Sequence, residues 1–382
     1  EWDTTVPDPA CNRIGMAELH KILPIQNRMR RCLLKDDGTV NYYLHPEDST
    51  KRDNGAPAKL DGTDGQVMVE IPEHYRKFEI EGTKHRCLLS QYPLPGFHRV
   101  PLAYRSAYEA AIDRTNPAAP KLASVVNATA AFRGGDNTAA WDGTYRSLLG
   151  RRGTFTSLEH YRTYSRRRGN AGKNGAGWNC DIYEVQKTCY WLYNVAYANF
   201  NSQLPHNAET TCQGYRQGGL GNGVTNIVSV TWNTFNAYNP FIPCGYTNSL
   251  GNKTGVIAFN MPSEYGTLTT YVPTYRGVEN PFGHLWSWTD GCRCRIQSDE
   301  AGGLSEFYIC PEPGKFGSTD YAYYNLGGIL PRTEGYVKTL TVGEYGENIP
   351  SAIGGSYNTF LADYLFSSIP TSGELYRGVL LG

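Results

Sequence analysis

The stretch Asn280-Pro-Phe-Gly-His-Leu-Trp-Ser-Trp-Thr-Asp-Gly291 is the most informative segment of this chain of 382 residues. Its two tryptophans, Trp286 and Trp288, stand at alternate positions between a Pro-Phe-Gly-His turn and an Asp-Gly pair. Alternate residues of a strand point to the same face, so we expect both indoles on one face of a short strand that stops at Asp-Gly. The stretch contains no nucleophile, metal-ligand spacing or phosphate loop. It therefore predicts a scaffold with an aromatic sheet core, and we assign Trp286, Trp288 and His284 to that scaffold.

The composition favours a loop-rich protein with many tyrosines, because the chain holds 42 glycines, 22 prolines and 28 tyrosines. Tyrosine is common on recognition surfaces, although packing between strands is the simpler use for most of these side chains. The 36 basic and 36 acidic side chains cancel, so no net charge attracts nucleic acid or an anionic membrane. No apolar run approaches the roughly 20 residues of a membrane helix. We expect neutral or polar partners, no nucleic acid and no membrane insertion.

Ten cysteines are scattered along the chain, and only Cys292 and Cys294 are close together. A structural zinc site usually needs a Cys-x2-Cys loop and two further ligands, so we interpret the cysteines as buried free thiols and expect no metal. A glycine-rich segment at 217–224 precedes a strand rather than a helix, so it predicts a turn and not a nucleotide site. We expect no cofactor.

The pattern divides the chain near residue 68. Residues 1–68 predict a small attachment module with a helix at 16–31, a hairpin whose turn is Lys35-Asp-Asp-Gly-Thr39, and a polar linker at 48–65. From Gln66 onward, alternating strands are predicted at 67–71, 77–80 and 87–89.

Three helices are predicted within the main domain, which spans residues 69–382. A short amphipathic helix is expected at 103–115. The capping box Thr156-Ser-Leu-Glu159 predicts a helix to about Arg168, and an apolar face predicts another from Asn179 to about Asn199. The last two helices and the many short strands predict an α+β domain.

The C-terminal region alternates large and small side chains at 354–366 and again at 373–382. Two antiparallel strands there would place Tyr357 and Tyr364 near a common surface. We therefore select Tyr357, Tyr364 and Tyr376 as candidate ligand-binding residues. The apolar run Gly378-Val-Leu-Leu-Gly382 predicts a buried strand, and we expect the protein to continue beyond it.

Six segments occur in order along the chain: Glu73-His-Tyr-Arg-Lys-Phe78, Tyr92-Pro-Leu-Pro-Gly96, Trp141-Asp-Gly-Thr-Tyr-Arg-Ser-Leu-Leu-Gly150, Gly218-Gly-Leu-Gly-Asn-Gly-Val224, the stretch from Asn280 to Gly291, and Arg377-Gly-Val-Leu-Leu-Gly382. In this order they resemble the variable proteins that retroelements diversify in gut Bacteroidales and their phages, and the resemblance covers about residues 67–382. It implies a C-type lectin fold similar to the phage major tropism determinant and the formylglycine-generating enzymes, with short antiparallel strands around two helices. It also implies that the main hypervariable ligand-binding segment follows Gly382.

The leading functional hypothesis is a non-enzymatic receptor-binding protein at the tip of a phage tail fibre, or a relative on a bacterial surface. The expected partners are a host cell-surface protein or glycan and other fibre or baseplate proteins of the virion, and the resemblance implies a homotrimer. One alternative is a structural virion or baseplate protein. Another is an oxidase of the formylglycine-generating type, for which Cys292 and Cys294 are the only candidate reactive pair.

Overall fold

A computed structural model of the protein describes most of the chain. The described residues are 1–6, 8, 10–127, 129–132, 157–169, 177–202, 244–261, 268–281, 286–317, 321–356, 361 and 363–381. The predicted glycine turn at 217–224, the strand after it, Tyr357 and His284 lie outside these residues.

Strands dominate the described part of the chain. The three α-helices are α1 (Ala17–Ile22), α2 (Leu158–Arg166) and α3 (Tyr183–Tyr197). Short 3-10 helices occur at Gln26–Arg28, Ala130–Phe132, Asn248–Leu250 and Pro313–Lys315. The strands are β1 (Trp2–Asp3), β2 (Arg30–Leu34), β3 (Val40–His45), β4 (Asp48–Arg52), β5 (Gln66–Ile71), β6 (His74–Glu81), β7 (Lys84–Ser90), β8 (His98–Val100), β9 (Ala103–Ser106), β10 (Ala111–Asp113), β11 (Lys121–Ala123), β12 (Gly255–Met261), β13 (Leu268–Tyr275), β14 (Val278–Glu279), β15 (Ser287–Gln297), β16 (Ser305–Ile309), β17 (Asn325–Ile329), β18 (Gly335–Val342), β19 (Asn348–Ile353), β20 (Tyr364–Leu365) and β21 (Glu374–Leu381).

These strands form six small antiparallel sheets. The strand orders are β4-β3-β2-β5-β9, β1-β7-β6-β8, β17-β16-β15-β21, β12-β13-β14, β19-β18-β20 and β10-β11. The predicted α+β class with a C-type lectin fold is therefore wrong: the described chain is mostly β-sheet, divided among several sheets, with three α-helices. Pairing between distant strands outweighed the local helical spacing from which part of the prediction was made.

The segment at 16–31 shows one reason for the difference. Helix α1 ends at Ile22, Leu23 takes a left-handed conformation with φ 44°, and Pro24 follows. A residue before proline is disfavoured in the helical region, so the predicted helix cannot continue there. Its remainder becomes a 3-10 turn and the start of β2.

The segment at 103–115 is likewise not a helix. It contains β9, which pairs with β5, and β10, which pairs with β11. Between these strands, Ala107 and Tyr108 are buried in the core. The apolar spacing of the segment arises from two short strands and a buried bend, which a helical periodicity can imitate.

Helices α2 and α3 confirm two predictions. Both helices occur where they were expected, but the cap of α2 is Ser157, whose side chain accepts a hydrogen bond from the His160 N–H, one residue after the Thr156 of the predicted capping box. In α3, Trp191 is 1% exposed and its ring centroid lies 4.7 Å from that of Phe78 on β6. Helix α3 is thus held against the sheet that β6 and β7 form.

Residues on both sides of the predicted boundary at 68 share one sheet and one core. The hairpin of β2 and β3 is confirmed, and β2 also pairs along its length with β5. All six residues of β5 are buried. The core around them combines Leu33 and Leu44 with Leu192 of α3 and Tyr275 of β13.

Candidate functional site

Strands β18 and β20 present aromatic rings to solvent. Tyr336 and Tyr364 are direct cross-strand partners, and their ring centroids are 5.2 Å apart. Alternate residues of a strand point to opposite faces. Leu365 accordingly packs against the core around Trp191, whereas Tyr364 and Phe366 turn outward, with ring centroids 4.5 Å apart.

Trp286 extends this surface from the sheet that contains β15. Its ring centroid lies 5.0 Å from that of Phe366. We call Trp286, Phe366, Tyr364 and Tyr336 the aromatic strip. Trp286 is 60% exposed, Phe366 57% and Tyr364 42%. Large rings grouped on a surface at this exposure are typical of interaction sites, whereas single exposed apolar side chains are ordinary.

The two tryptophans of the stretch 280–291 differ in environment. Trp286 is an exposed member of the strip and not part of a sheet core. Trp288 is half-buried on β15, opposite Leu380 of β21. A Cβ atom at Gly378 would lie 2.8 Å from the Trp288 ring, so the absence of a side chain there leaves room for the indole. Trp288 thus occupies the scaffold position that was predicted for both residues.

The predicted stop at Asp290-Gly291 is a bulge within a longer strand. Strand β15 continues to Gln297, and its register with β21 shifts between Thr289 and Arg293. Gly291 has φ 78°, a left-handed conformation that glycine adopts without strain. The bulge lies where the half-buried beginning of β15 gives way to its buried continuation.

A buried ion pair anchors this bulge below the strip. Asp290 accepts hydrogen bonds from Arg162 of α2, with 2.5 Å from Nε to Oδ2 and 2.9 Å from Nη2 to Oδ1. The side chains are 7% and 1% exposed. The Asp290 N–H also donates to the Asp181 carbonyl at 2.9 Å. A bidentate pair of this geometry fixes orientation, so the strand that follows Trp286 is held by α2 and by the segment before α3.

Tyr376 belongs to a different group of rings. Its centroid lies 4.9 Å from that of Tyr321, and its hydroxyl donates to Glu374, which raises the pKa of Tyr376. The two C-terminal strands do not form the predicted pair, because β21 pairs with β15 and β20 pairs with β18. Strand β21 is not buried in this structure: Tyr376 is 49% exposed and Leu380 38%.

The structure therefore brings Tyr364 together with Trp286 and adds two residues that sequence reasoning did not select. Phe366 could have been selected from the sequence, because it stands two residues after Tyr364 and alternate residues of an extended segment share a face. Tyr336 had no such signal, since its place beside Tyr364 depends on the pairing of β18 with β20.

The two neighbouring cysteines are in an environment that suppresses reactivity. Cys292 is fully buried, and burial raises the pKa of its thiol well above the ordinary value. Burial also raises the pKa of Cys294 to about 12. The thiolate is the reactive form, so these thiols have the protonated state of structural cysteines.

Among the residues that the structure describes, no three His, Cys, Asp or Glu side chains form a group suited to hold a metal ion. None of the helices in this described part of the chain has the length and apolar character needed to cross a bilayer.

Comparisons with protein families, with curated proteins and with solved structures found no match to this chain. The aromatic strip and its supports are consequently the observations from which a function is inferred.

Proposed function

We propose that this chain is a non-enzymatic receptor-binding protein that attaches a phage tail fibre to a host cell, and that the aromatic strip contacts the cell-surface receptor. The observation that carries the proposal is the exposure of Trp286 and Phe366, 60% and 57%, within one continuous group of rings. Aromatic side chains supply large contact areas at a low cost in conformational entropy. Binding hot spots are enriched in tryptophan and tyrosine.

The support beneath the strip agrees with such a role. Tyr336 and Tyr364 lie on β18 and β20, and Trp286 and Phe366 stand directly next to the ends of β15 and β20. These strands are tied to the interior, because Leu365 packs beside Trp191 and β15 is anchored by the Arg162–Asp290 pair. Side chains on rigid elements lose less conformational freedom on binding than side chains on mobile loops. The strip is thus preorganised for a partner.

Assembly into trimers at a fibre tip is part of the proposal. Three copies would present three strips to one cell, and linked weak sites gain avidity without any new contact. The resemblance to retroelement-diversified proteins of gut Bacteroidales and their phages supports this arrangement and indicates where to look for the host.

The test is binding of the fluorescently labelled protein to a panel of gut Bacteroidales strains, measured by flow cytometry. The double variant Trp286→Ser with Phe366→Ser should weaken binding to a positive strain by at least about tenfold, since each hot-spot aromatic contributes about 2 kcal/mol. Tyr92→Ser is the matched control, because Tyr92 is 69% exposed and lies outside the strip.

Binding that is equal for the wild type, the double variant and the control would show that the strip is not the receptor site. A wild-type protein that binds no strain of the panel would contradict host attachment itself.

A further inference from the structure

A second candidate site lies on the five-stranded sheet, apart from the aromatic strip. Its cavity has a volume of about 630 Å³ and is bounded by β2, β3 and β5 and by residues 46–47, 252–253 and 276. This volume falls within the range of small-molecule sites. Three arginines line the cavity, namely Arg28, Arg30 and Arg276.

Arg30 is held in a defined orientation at the cavity. Its guanidinium carbon lies 3.4 Å from the centroid of the Tyr43 ring, and its Nε lies 3.4 Å from Glu70 Oε1. The Nη1 and Nη2 groups have no hydrogen-bond partner among the residues described. A planar guanidinium fixed by stacking and by one carboxylate presents its remaining pair of donors as a fork, which matches the two oxygens of another carboxylate.

The other two arginines add donors to the same space. Arg28 is exposed, and its side chain has no hydrogen bond or ion pair to a described residue. Arg276 donates from Nη1 to Asn27 Oδ1 at 2.7 Å. The backbone of Arg276 has φ 49°, a left-handed conformation that is uncommon for a residue other than glycine and is often found at binding sites.

The acidic side chains of the cavity narrow the class of ligand. Glu70 also accepts hydrogen bonds from the Tyr43 and Tyr104 hydroxyls, at 2.8 and 3.1 Å, so its charge is already compensated. Glu47 pairs with Lys253 at 3.0 Å. Asp53 remains as an acceptor without a side-chain partner in the described chain. With Lys253 paired to Glu47 and Arg30 to Glu70, the charges of Arg28 and Arg276 exceed that of Asp53 by one, which matches a ligand with a single negative charge. Hydroxyl groups of the same ligand could donate to Asp53.

We propose that this cavity binds a carboxylate-bearing sugar, whose carboxylate accepts hydrogen bonds from Arg30 and Arg28 and whose hydroxyls bond to Asp53 and Asn252. The inference goes beyond receptor binding by the aromatic strip and does not depend on it. Such a site would bind one acidic sugar unit through residues that are not part of the aromatic strip.

The test is isothermal titration calorimetry of the protein with D-glucuronate, with D-glucose, in which a hydroxymethyl group replaces the carboxylate, and with inorganic phosphate. Glucuronate should bind with a dissociation constant on the order of 1 mM, as expected for a ligand of this size, and glucose at least about tenfold more weakly. Arg30→Lys keeps the positive charge and removes the fork, so it should weaken glucuronate binding at least about fivefold.

Arg28→Gln is a second variant, because an exposed side chain without partners can be changed without loss of folding. It should also weaken glucuronate binding. Arg99→Lys is the control, since Arg99 is exposed on β8 and pairs with Glu73 away from the cavity. Arg99→Lys should bind glucuronate with the affinity of the wild type. The double variant Trp286→Ser with Phe366→Ser should do the same.

Three results would overturn the assignment. Glucose and glucuronate could bind equally or not at all, phosphate could bind more tightly than glucuronate, or both arginine variants could retain full affinity.

Discussion

Two parts of the molecule use polar and aromatic side chains in opposite ways. Arg31 of β2 is fully buried, and its guanidinium donates to the Gly277 carbonyl at 2.7 Å, to Asn248 Oδ1 at 2.7 Å and to two hydroxyls. In the aromatic strip, the apolar rings of Trp286 and Phe366 are more than half exposed. A buried charge is tolerated only when its donors are paired, and an exposed ring adds little to folding. The first region therefore specifies the fold, and the second is available for a partner.

Removing the buried guanidinium should give the largest effect on stability. Arg31→Met removes the donor from the buried Gly277 carbonyl and from the Ser49 and Thr247 hydroxyl oxygens, and it leaves Asn248 Oδ1 with the Tyr108 hydroxyl as its donor. The free energy of unfolding should therefore fall by about 3–5 kcal/mol. Arg28→Met is the control: Arg28 is exposed three residues away, and its loss should change stability by less than about 0.5 kcal/mol. Urea denaturation measures both. A loss below about 1 kcal/mol for Arg31→Met would mean that the network is not required for the fold.

The second-largest loss of stability should come from a substitution that disturbs the packing of Trp191 and Phe78. Gly346 has φ 80°, and its carbonyl accepts the Trp191 Nε1–H at 2.7 Å. A Cβ atom there would lie 2.5 Å from the Phe78 ring, so Gly346→Ala should lower the free energy of unfolding by about 2–3 kcal/mol through overpacking and strain.

Gly82→Ala separates these two contributions. Gly82 also has a positive φ, 61°, but nothing lies within 4 Å of an added Cβ. It should cost about 1 kcal/mol in denaturant unfolding, which is the contribution of backbone strain alone. Equal losses for the two glycines would show that Phe78 and Trp191 can move aside.

Acid should destabilise the interior through His74. Its Nδ1 donates to the Pro72 carbonyl at 2.9 Å, its Nε2 has no partner among the described residues, and burial lowers its pKa from 6.5 to about 4. The unfolded chain therefore binds a proton more readily, so this contribution to stability is present above pH 6.5 and is lost as the pH falls toward 4. Between pH 7 and pH 5 the loss should be about 2 kcal/mol.

The pH dependence of stability separates the titration of His74 from the effect of its packing. The thermal midpoint of His74→Gln should vary less between pH 7 and pH 5 than that of the wild type, even though the variant is less stable throughout. Gly82→Ala, which changes no titratable group, should keep the wild-type slope. An unchanged slope in His74→Gln would contradict the assignment.

Substitutions in the aromatic strip should cause the smallest change in stability. Trp286→Ser with Phe366→Ser removes two exposed ring contacts and little buried area, so the free energy of unfolding should change by no more than about 1 kcal/mol. Denaturant unfolding of the variant used for cell binding measures this directly. A larger loss would mean that the rings stabilise the junction of their two sheets, and the contrast with Arg31 would then weaken.

Local patterns predicted the elements whose signals are complete within a few residues. The β2–β3 hairpin has its turn and both strands within 16 residues of sequence, from Arg30 to His45. Helix α2 was predicted from a capping box whose cap, Thr156, is one residue before the observed cap Ser157, and α3 was predicted from its continuous apolar face. The segment at 103–115 failed because its apolar spacing fits a helix, whereas its backbone pairs with strands elsewhere.

The candidate site was predicted only in part. Tyr364 and Trp286 were selected, but as members of different units, a binding strand and a scaffold. Their association through Phe366 joins residues about 80 positions apart in the sequence, and no local pattern contains that information.

The sequence alone determined the turn of the β2–β3 hairpin, the presence of α2 and α3 and the balance of charge, because each depends on neighbouring residues or on simple counts. Only the tertiary structure decided which strands share a sheet, that Trp286 faces solvent while Trp288 packs over Gly378, and that Arg31 finds its partners at residues 49, 247, 248 and 277. These outcomes depend on burial and on hydrogen bonds between distant segments, whose free energies overcome local preference once the chain is compact.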